Sequence, residues 1–207
     1  MDAYLSPAQL LKHYVAGQRS FERADLRECN LSSFQLPGVQ LCRADFTIAN
    51  LSQANLDDAN LTGAMMWRAN LQRASLRWVN LHQAVMVRSD AGGGDFSGAS
   101  LQLTDLRLAN LQDACFAGAD LRGAKLCYSD LRSADFTGAD LTGADLTGAN
   151  LLGARMEAVC WRSTTLHQAQ FDQSQFNTGL TLAAEFSNAA LPRRHRLLSG
   201  ESPLTMV

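Results

Sequence analysis

At 207 residues and 46% hydrophobic content, the chain is long enough for one domain with its own core and too apolar for a disordered polymer. Eighteen basic against twenty acidic residues leave a net charge of −2, which argues against a nucleic-acid-binding basic field and against the strong acidic field of a nucleic-acid mimic. No segment approaches the ~18 consecutive apolar residues of a membrane span, and the amino terminus lacks a basic stretch followed by an apolar one, so a cytoplasmic protein is expected.

Residues 1–20 read as a capping helix. Ser6 suits the N-cap, Pro7 the first helical position and Gly17 the place just past the end. Leu10, Leu11, Tyr14 and Val15 are expected to share one face and to cover the first coil of the repeat region that begins at Phe21.

From Phe21 a large apolar residue recurs every five positions, through Leu26, Leu31, Leu36, Leu41 and Phe46 and onward to Phe171 and Phe176. Ala91 is the only lapse. Two positions before each large residue stands a small one, usually alanine (Ala44, Ala49, Ala54), and Asn or Asp usually lies between. At about 100° per residue a helix would smear a five-residue repeat around its barrel. A straight strand would point successive leucines to opposite faces. The chain must bend once per repeat, with alanine and leucine inward and the other three residues outward.

Residues one full coil apart stack, and a spacing of twenty makes the columns. Phe96, Phe116, Phe136 and Phe176 share one, broken by Met156; Asn30, Asn50, Asn70, Asp90, Asn110, Asp130 and Asn150 share another. Residues 21–180 therefore read as an all-β, four-sided β-helix of about eight coils, a rod of roughly 38 Å at ~4.8 Å per coil. Glycine follows the large residue by two positions at Gly98, Gly118, Gly123, Gly138, Gly143, Gly148 and Gly153, which predicts type II turns in the C-terminal half. In the N-terminal half Arg43, Gln53, Arg68, Arg73, Trp78 and Arg88 hold that position, and a different turn is expected there. The run Gly92-Gly93-Gly94 reads as a loosened side; no helix pattern or Lys-Ser/Thr comes after it to make a phosphate loop. Residues 181–207 are expected to supply a C-terminal cap, with Leu182, Ala183, Ala184 and Phe186, and then a basic tail with Arg193, Arg194, His195 and Arg196.

The run Ala-Asp-Leu-Thr-Gly-Ala-Asp-Leu-Thr-Gly-Ala-Asn-Leu at 139–151 resembles the pentapeptide-repeat family, over about three quarters of the chain. The resemblance implies a right-handed quadrilateral β-helix. The opening from Leu10 to Gly17, followed by Arg19 and Phe21, is similar to the capping start of many cyanobacterial members.

Nothing in the pattern converges as catalysis requires, and neither a metal, a cofactor nor an enzyme activity is expected. His13, His82, His167 and His195 fall on the cap, two different faces and the tail. Most aspartates stand before the central leucine, where they can bond neighbouring turns. Cys29, Cys42, Cys115, Cys127 and Cys160 are odd in number and lack C-x-x-C spacing, so they read as reduced thiols filling space.

The outward positions carry one anomaly. Around Phe46, Met66, Met86, Leu106 and Leu126 they hold Ile48, Met65, Trp67, Val85, Val87, Leu108 and Tyr128, flanked by Arg68, Arg88 and Arg107, where other sides carry mainly small or polar residues. Apolar side chains with large aromatics and arginine have the composition of an interface core. The expectation is a non-enzymatic binding or scaffold module, monomeric or homodimeric, whose partner is a protein. The alternative, implied by the quinolone-resistance branch of the resembled family, is a duplex-like acidic rod that binds DNA gyrase. Here only short acidic stretches such as Asp120 with Asp140 occur, interrupted by Arg23, Arg43, Arg73, Arg77 and Arg122.

Overall fold

The computed structural model describes residues 5–172. The one helix among the described residues, α1, spans Pro7–Val15 and begins with a complete capping box: the Ser6 hydroxyl accepts from the Gln9 N–H, and the Gln9 side chain accepts from the Ser6 N–H. Leu10 is fully buried and Tyr14 partly so, whereas Leu11 is 38% and Val15 77% exposed. The four residues do not share one buried face. Leu10 and Tyr14 lie ~40° apart around the helix, but Val15 lies ~140° from Leu10 and so turns outward. The Tyr14 hydroxyl donates to the Pro37 carbonyl at 2.7 Å, and Leu5 N–H donates to Asp25 O at 3.1 Å, fixing the helix over the first coil.

Beyond the helix, parallel β-bridges join residues twenty apart, from Ser20 with Gln40 to Asn150 with Gln170. A turn every five residues and a coil every twenty give four sides. The extended pieces are single bridging residues and not continuous strands, because two of every five residues belong to a turn. The large residues and the small ones two positions before them fill the interior, as in Leu56, Ala59 and Leu61. Residues 173–180, the Phe176 end of the aromatic column, the C-terminal cap and the basic tail lie outside the described residues.

Every turn is of one kind. Among the described residues positive φ occurs at twenty non-glycine residues as well as at ten glycines of the repeats, always two positions after the central inward residue, with values such as 56° at Arg43, 53° at Trp78 and 70° at Gly138. With the bond from the fourth residue's N–H to the first residue's carbonyl, as in Ala44 to Leu41 at 3.1 Å, these are type II turns throughout. The expected change of turn between the halves does not occur. Coil-to-coil bonds dictate the geometry: Arg43 N–H must reach Thr62 O at 2.8 Å, and the left-handed cost of ~1 kcal/mol at a non-glycine is smaller than that of an unmade bond.

The glycine run is also regular. Gly93 N–H donates to Gln112 O and Gly94 N–H to Ala91 O, at 2.8 and 3.0 Å. Its composition serves packing. A Cβ at Gly94 would stand 3.1 Å from the Phe96 ring, and Ala91 shortens the neighbouring side of the same coil. Phe96 opens the ring column, with Phe96, Phe116 and Phe136 stacked at 5.0 Å between centroids. The lapse at Ala91 thus accompanies the first phenylalanine of the column.

Phe116 contacts rings above and below and is fully buried. Phe116→Ala is expected to destabilise the rod by about 3–5 kcal/mol, read from urea unfolding followed by circular dichroism at pH 7.

Candidate functional site

The outward positions form columns along the rod. On the second side, Asp45, Met65, Val85, Asp105 and Lys125 are bridged one to the next. The column one residue past the core holds Thr47, Trp67, Val87, Arg107 and Cys127. At the adjoining corner stand Ile48, Arg68, Arg88, Leu108 and Tyr128.

The structure brings Met65, Trp67, Val85 and Val87 together on two consecutive coils, with Ile48 beside them: Ile48 N–H donates to Trp67 O at 2.9 Å and Arg68 N–H to Val87 O at 3.1 Å. Met65 and Ile48 are about half exposed and Trp67 38%, while Val85 and Val87 are half-buried. The Arg68 guanidinium lies 5.1 Å from the centre of the Trp67 ring, within cation–π reach. Leu108 and Tyr128 are set apart from Ile48 in their own column by Arg68 and Arg88, so the apolar strip is narrower than the sequence implied.

Tyr128 has a packing role besides. A Cβ on Gly148 would come within 2.5 Å of its ring; Trp78 covers Gly98, and Leu103 covers Gly123, in the same way on two other corners. A bulky apolar residue at a turn leans on the glycine one coil later. The sequence carries the signal as a bulky residue followed twenty positions on by glycine. Trp78 and Leu103 are exposed by 59% and 51% and lie outside the apolar side expected from the sequence.

At many of the other turns an outward side chain serves the backbone. Asn or Asp before the core residue accepts from the N–H two positions on, as in Asn50 with Ser52 at 3.0 Å and Asp145 with Thr147 at 3.0 Å. Met65 and Val85 cannot accept, so the N–H groups of Trp67 and Val87 lack this cap on the face that is apolar.

Arginines neutralise many of the carboxylates. Asp25, Asp105, Asp120 and Asp130 each grip the arginine two residues on, with contacts of 2.6, 2.7, 2.7 and 2.5 Å. The Arg27, Arg122 and Arg132 hydrogen bonds hold the Asp25, Asp120 and Asp130 carboxyls below the ordinary range. Asp57 is the most buried, at 6% exposure; burial pushes its pKa up, but hydrogen bonds from Arg77 and Ser75 outweigh that and bring it down. It also caps Arg77 N–H at 3.1 Å from the coil below, replacing the acceptor that Ser75 does not supply. Every resolved carboxylate shift among the described residues is downward, opposite to that of a poised general acid.

Only Cys29 is buried; Cys42, Cys115 and Cys127 are half-buried outward residues and Cys160 is exposed. Of the five thiols expected to fill space, Cys29 alone lies in the core. Burial, with a bond to Asp145, pushes the Cys127 thiol up to about 11, away from thiolate chemistry. Among the described residues no three His, Cys, Asp or Glu side chains could hold a metal ion, and no helix is long and apolar enough to cross a membrane. On the third side a notch of about 470 Å³ opens where Gly92 and Gly93 lack side chains, between Gln72 with Arg73 and Gln112 with Asp113. Asp90 lies against its floor, 3.5 Å from a Cβ built on Gly92, which opposes phosphate there.

A family model described as pentapeptide repeats matches in eight copies, over residues 24–63, 49–88, 95–126, 114–153 and 128–160. The chain belongs to the pentapeptide-repeat family. Among solved structures, this pentapeptide-repeat protein is similar to HetL of Nostoc sp. strain PCC 7120, a protein involved in heterocyst differentiation regulation. That match has 24% identity over 82% of this chain and 98% of that one, at a TM-score of 0.27. It is similar also to the plasmid-mediated fluoroquinolone resistance protein QnrB1, at 16% identity, 76% and 96% coverage and a TM-score of 0.43. A third is the Arabidopsis thaliana thylakoid-lumen protein AT2G44920, at 27% identity, 72% and 68% coverage and a TM-score of 0.26. No match was found among the curated proteins.

Folded-state carboxyl pKa values below the unfolded ones give stability that is present above about pH 4 and lost as pH falls further. Asp57→Asn is expected to cost about 1–3 kcal/mol at pH 7, since Arg77 stays half-solvated, and to flatten the acid limb of urea midpoints measured from pH 7 to 2.5. Gly98→Ala is expected to lower stability by about 1–3 kcal/mol beneath Trp78 and by about 1 in a Trp78→Ser background, a coupling that a double-mutant cycle measures.

Proposed function

We infer that this pentapeptide-repeat protein is a non-catalytic binding rod whose second side contacts a protein. The observation that carries this is the strip of Met65, Trp67, Val85 and Val87. Two consecutive coils abandon the acceptor that caps their turns and place apolar side chains there, with Arg68 on the indole. Giving up a turn cap costs about 1 kcal/mol each, so the replacement is not neutral for the rod. Apolar surface with an aromatic–arginine pair is what a protein interface core presents, and the two uncapped N–H groups offer donors to a partner's carbonyls.

The second reading, a gyrase-binding duplex mimic, draws on QnrB1 as a fluoroquinolone resistance protein. It is the weaker, because long acidic columns are its requirement and Arg27, Arg77, Arg107, Arg122 and Arg132 each cover a carboxylate here.

The test is retention of host proteins on the immobilised rod and on its Trp67→Ser, Val87→Ser form, with both shown to unfold at the same temperature within a few degrees. A protein held by the first and released by the second is the expected result. Equal retention by both would make the strip a structural feature only, and gyrase held by both would favour the second reading.

A further inference from the structure

We propose that the notch on the third side is a binding site for a small α-amino acid with a cationic side chain, arginine or lysine. The site is separate from the second side, and nothing in it depends on what that side contacts.

Among the described turns, only Gly92 and Gly93 leave both outward turn positions without a side chain. Gly93 answers to its backbone, with φ at 65°. Gly92 does not: its φ is not positive, and a Cβ built on it would meet Asn110 Nδ2 at 3.4 Å, Asp90 Oδ1 at 3.5 Å and Gln112 O at 3.6 Å, which are ordinary contacts. Neither the turn nor the packing requires glycine at 92. What its bareness creates is the space of about 470 Å³, a volume in the range of small-ligand sites.

Opposite charges flank that space. Arg73 on the coil below and Asp113 on the coil above both line it, and among the described residues neither side chain has a hydrogen-bond or ion-pair partner. Arg132, the cation that acts on Asp113 from the next coil, is itself bonded to Asp130 at 2.5 Å. Where Asp and Arg stand one coil apart they close on each other, as Asp57 with Arg77 and Asp135 with Arg155 do. Arg73 and Asp113 stand two coils apart, ~9.6 Å, with the bare Gly93 between them. On the floor, the Asp90 carboxylate is fixed by Gln72 Nε2 at 2.5 Å, Asn110 Nδ2 at 2.8 Å and the Gly92 N–H at 3.2 Å. Two of these bonds fall on Oδ1 and one on Oδ2, so Oδ2 keeps a lone pair for a further donor.

One guanidinium and two carboxylates call for a ligand with one anionic and two cationic groups. A carboxylate held by a guanidinium through two bonds stands ~4 Å from it, carbon to carbon, and an ammonium stands ~3.5 Å from the carbon of a carboxylate. The amino nitrogen and carboxyl carbon of an α-amino acid are ~2.5 Å apart. Laid end to end these lengths come to about 10 Å, close to the two-coil spacing, and the Arg73 stem, whose Cγ lies 3.5 Å from a Cβ built on Gly93, is long enough to take up the difference. With the α-carboxylate on Arg73 and the α-ammonium on Asp113, a cationic side chain has Asp90 Oδ2 as its acceptor. An acidic amino acid would set its second carboxylate against Asp90.

The experiment is a chemical-shift titration of the full chain by heteronuclear NMR with L-arginine, with agmatine, which lacks the carboxylate, and with L-glutamate. The variants are G92Q, R73Q and D113S, each checked by thermal unfolding. They install what the same columns already carry at Gln72 and Gln112, at Gln53 and at Ser133, so each is compatible with the coil. The wild type is expected to bind arginine with a Kd of about 0.1–1 mM, as suits so open a site, and each variant to weaken it about tenfold or more. Agmatine is expected to bind about tenfold more weakly than arginine and equally to wild type and R73Q, because the group that Arg73 would hold is missing. W67S/V87S is expected to bind arginine as the wild type does. No saturable shift up to about 20 mM arginine, or arginine binding unchanged in G92Q, overturns the site. Agmatine weakened by R73Q as much as arginine is, or glutamate bound as tightly as arginine, overturns the assignment of the ligand.

Discussion

The structure depends on the hydrogen bonding of five N–H groups per repeat. In the repeat centred on Phe46, the N–H of Phe46 donates to Met65 O of the next coil at 2.7 Å, and that of Ile48 to Trp67 O at 2.9 Å. The Ala49 N–H closes the turn onto Phe46 O at 2.8 Å, and Asn50 N–H reaches back to Cys29 O at 2.9 Å. The fifth, on Thr47, has no backbone partner and is taken by the Asp45 carboxylate at 2.9 Å. A backbone that satisfies its donors in this way needs twenty residues per coil, a left-handed residue in each turn and, at most turns, an acceptor before the core residue. Composition answers to that scheme: Asn and Asp recur for the fifth donor, alanine for the narrow corner, and leucine or phenylalanine for the interior.

Because each coil bonds only to its neighbours, the ends are where the scheme is incomplete. The first coil has no coil beneath it; α1 supplies Leu10 for the exposed interior and the Tyr14 hydroxyl for Pro37 O, and Leu5, just ahead of the helix, gives its N–H to Asp25 O. Within the rod, substitutions are compensated locally. Asp57 reaches up from one coil to cap Arg77 where Ser75 does not, and Gly94 with Ala91 accompanies the first phenylalanine of the stack. The outward surface is thereby freed from the core, and a coil can exchange its turn cap for a contact residue without changing the path of the chain. Met65 and Val85 do this on adjacent coils, and Trp67 and Val87 accompany them.

Much of this was legible in the sequence. The period of five with columns at twenty determined the four-sided coil, the inward alanine and leucine and the aromatic stack, and Ser6, Pro7 and Gly17 marked the helix at the start, because each is a demand that backbone bonding makes on residue type at a fixed spacing. Other features were decided only in three dimensions. A uniform type II turn at Arg43, Gln53 and Trp78 could not be read from residues that disfavour positive φ, since the bonds enforcing it come from carbonyls nineteen residues away. The packing role of Tyr128 was likewise hidden, because pentapeptide spacing gives its column, in which Arg68 and Arg88 part it from Ile48, but not that its ring lies on Gly148. Local spacing dictates what each side chain must satisfy in its own coil; which outward groups meet, neutralise or cover one another depends on the coils above and below, and only the stacked rod sets those distances.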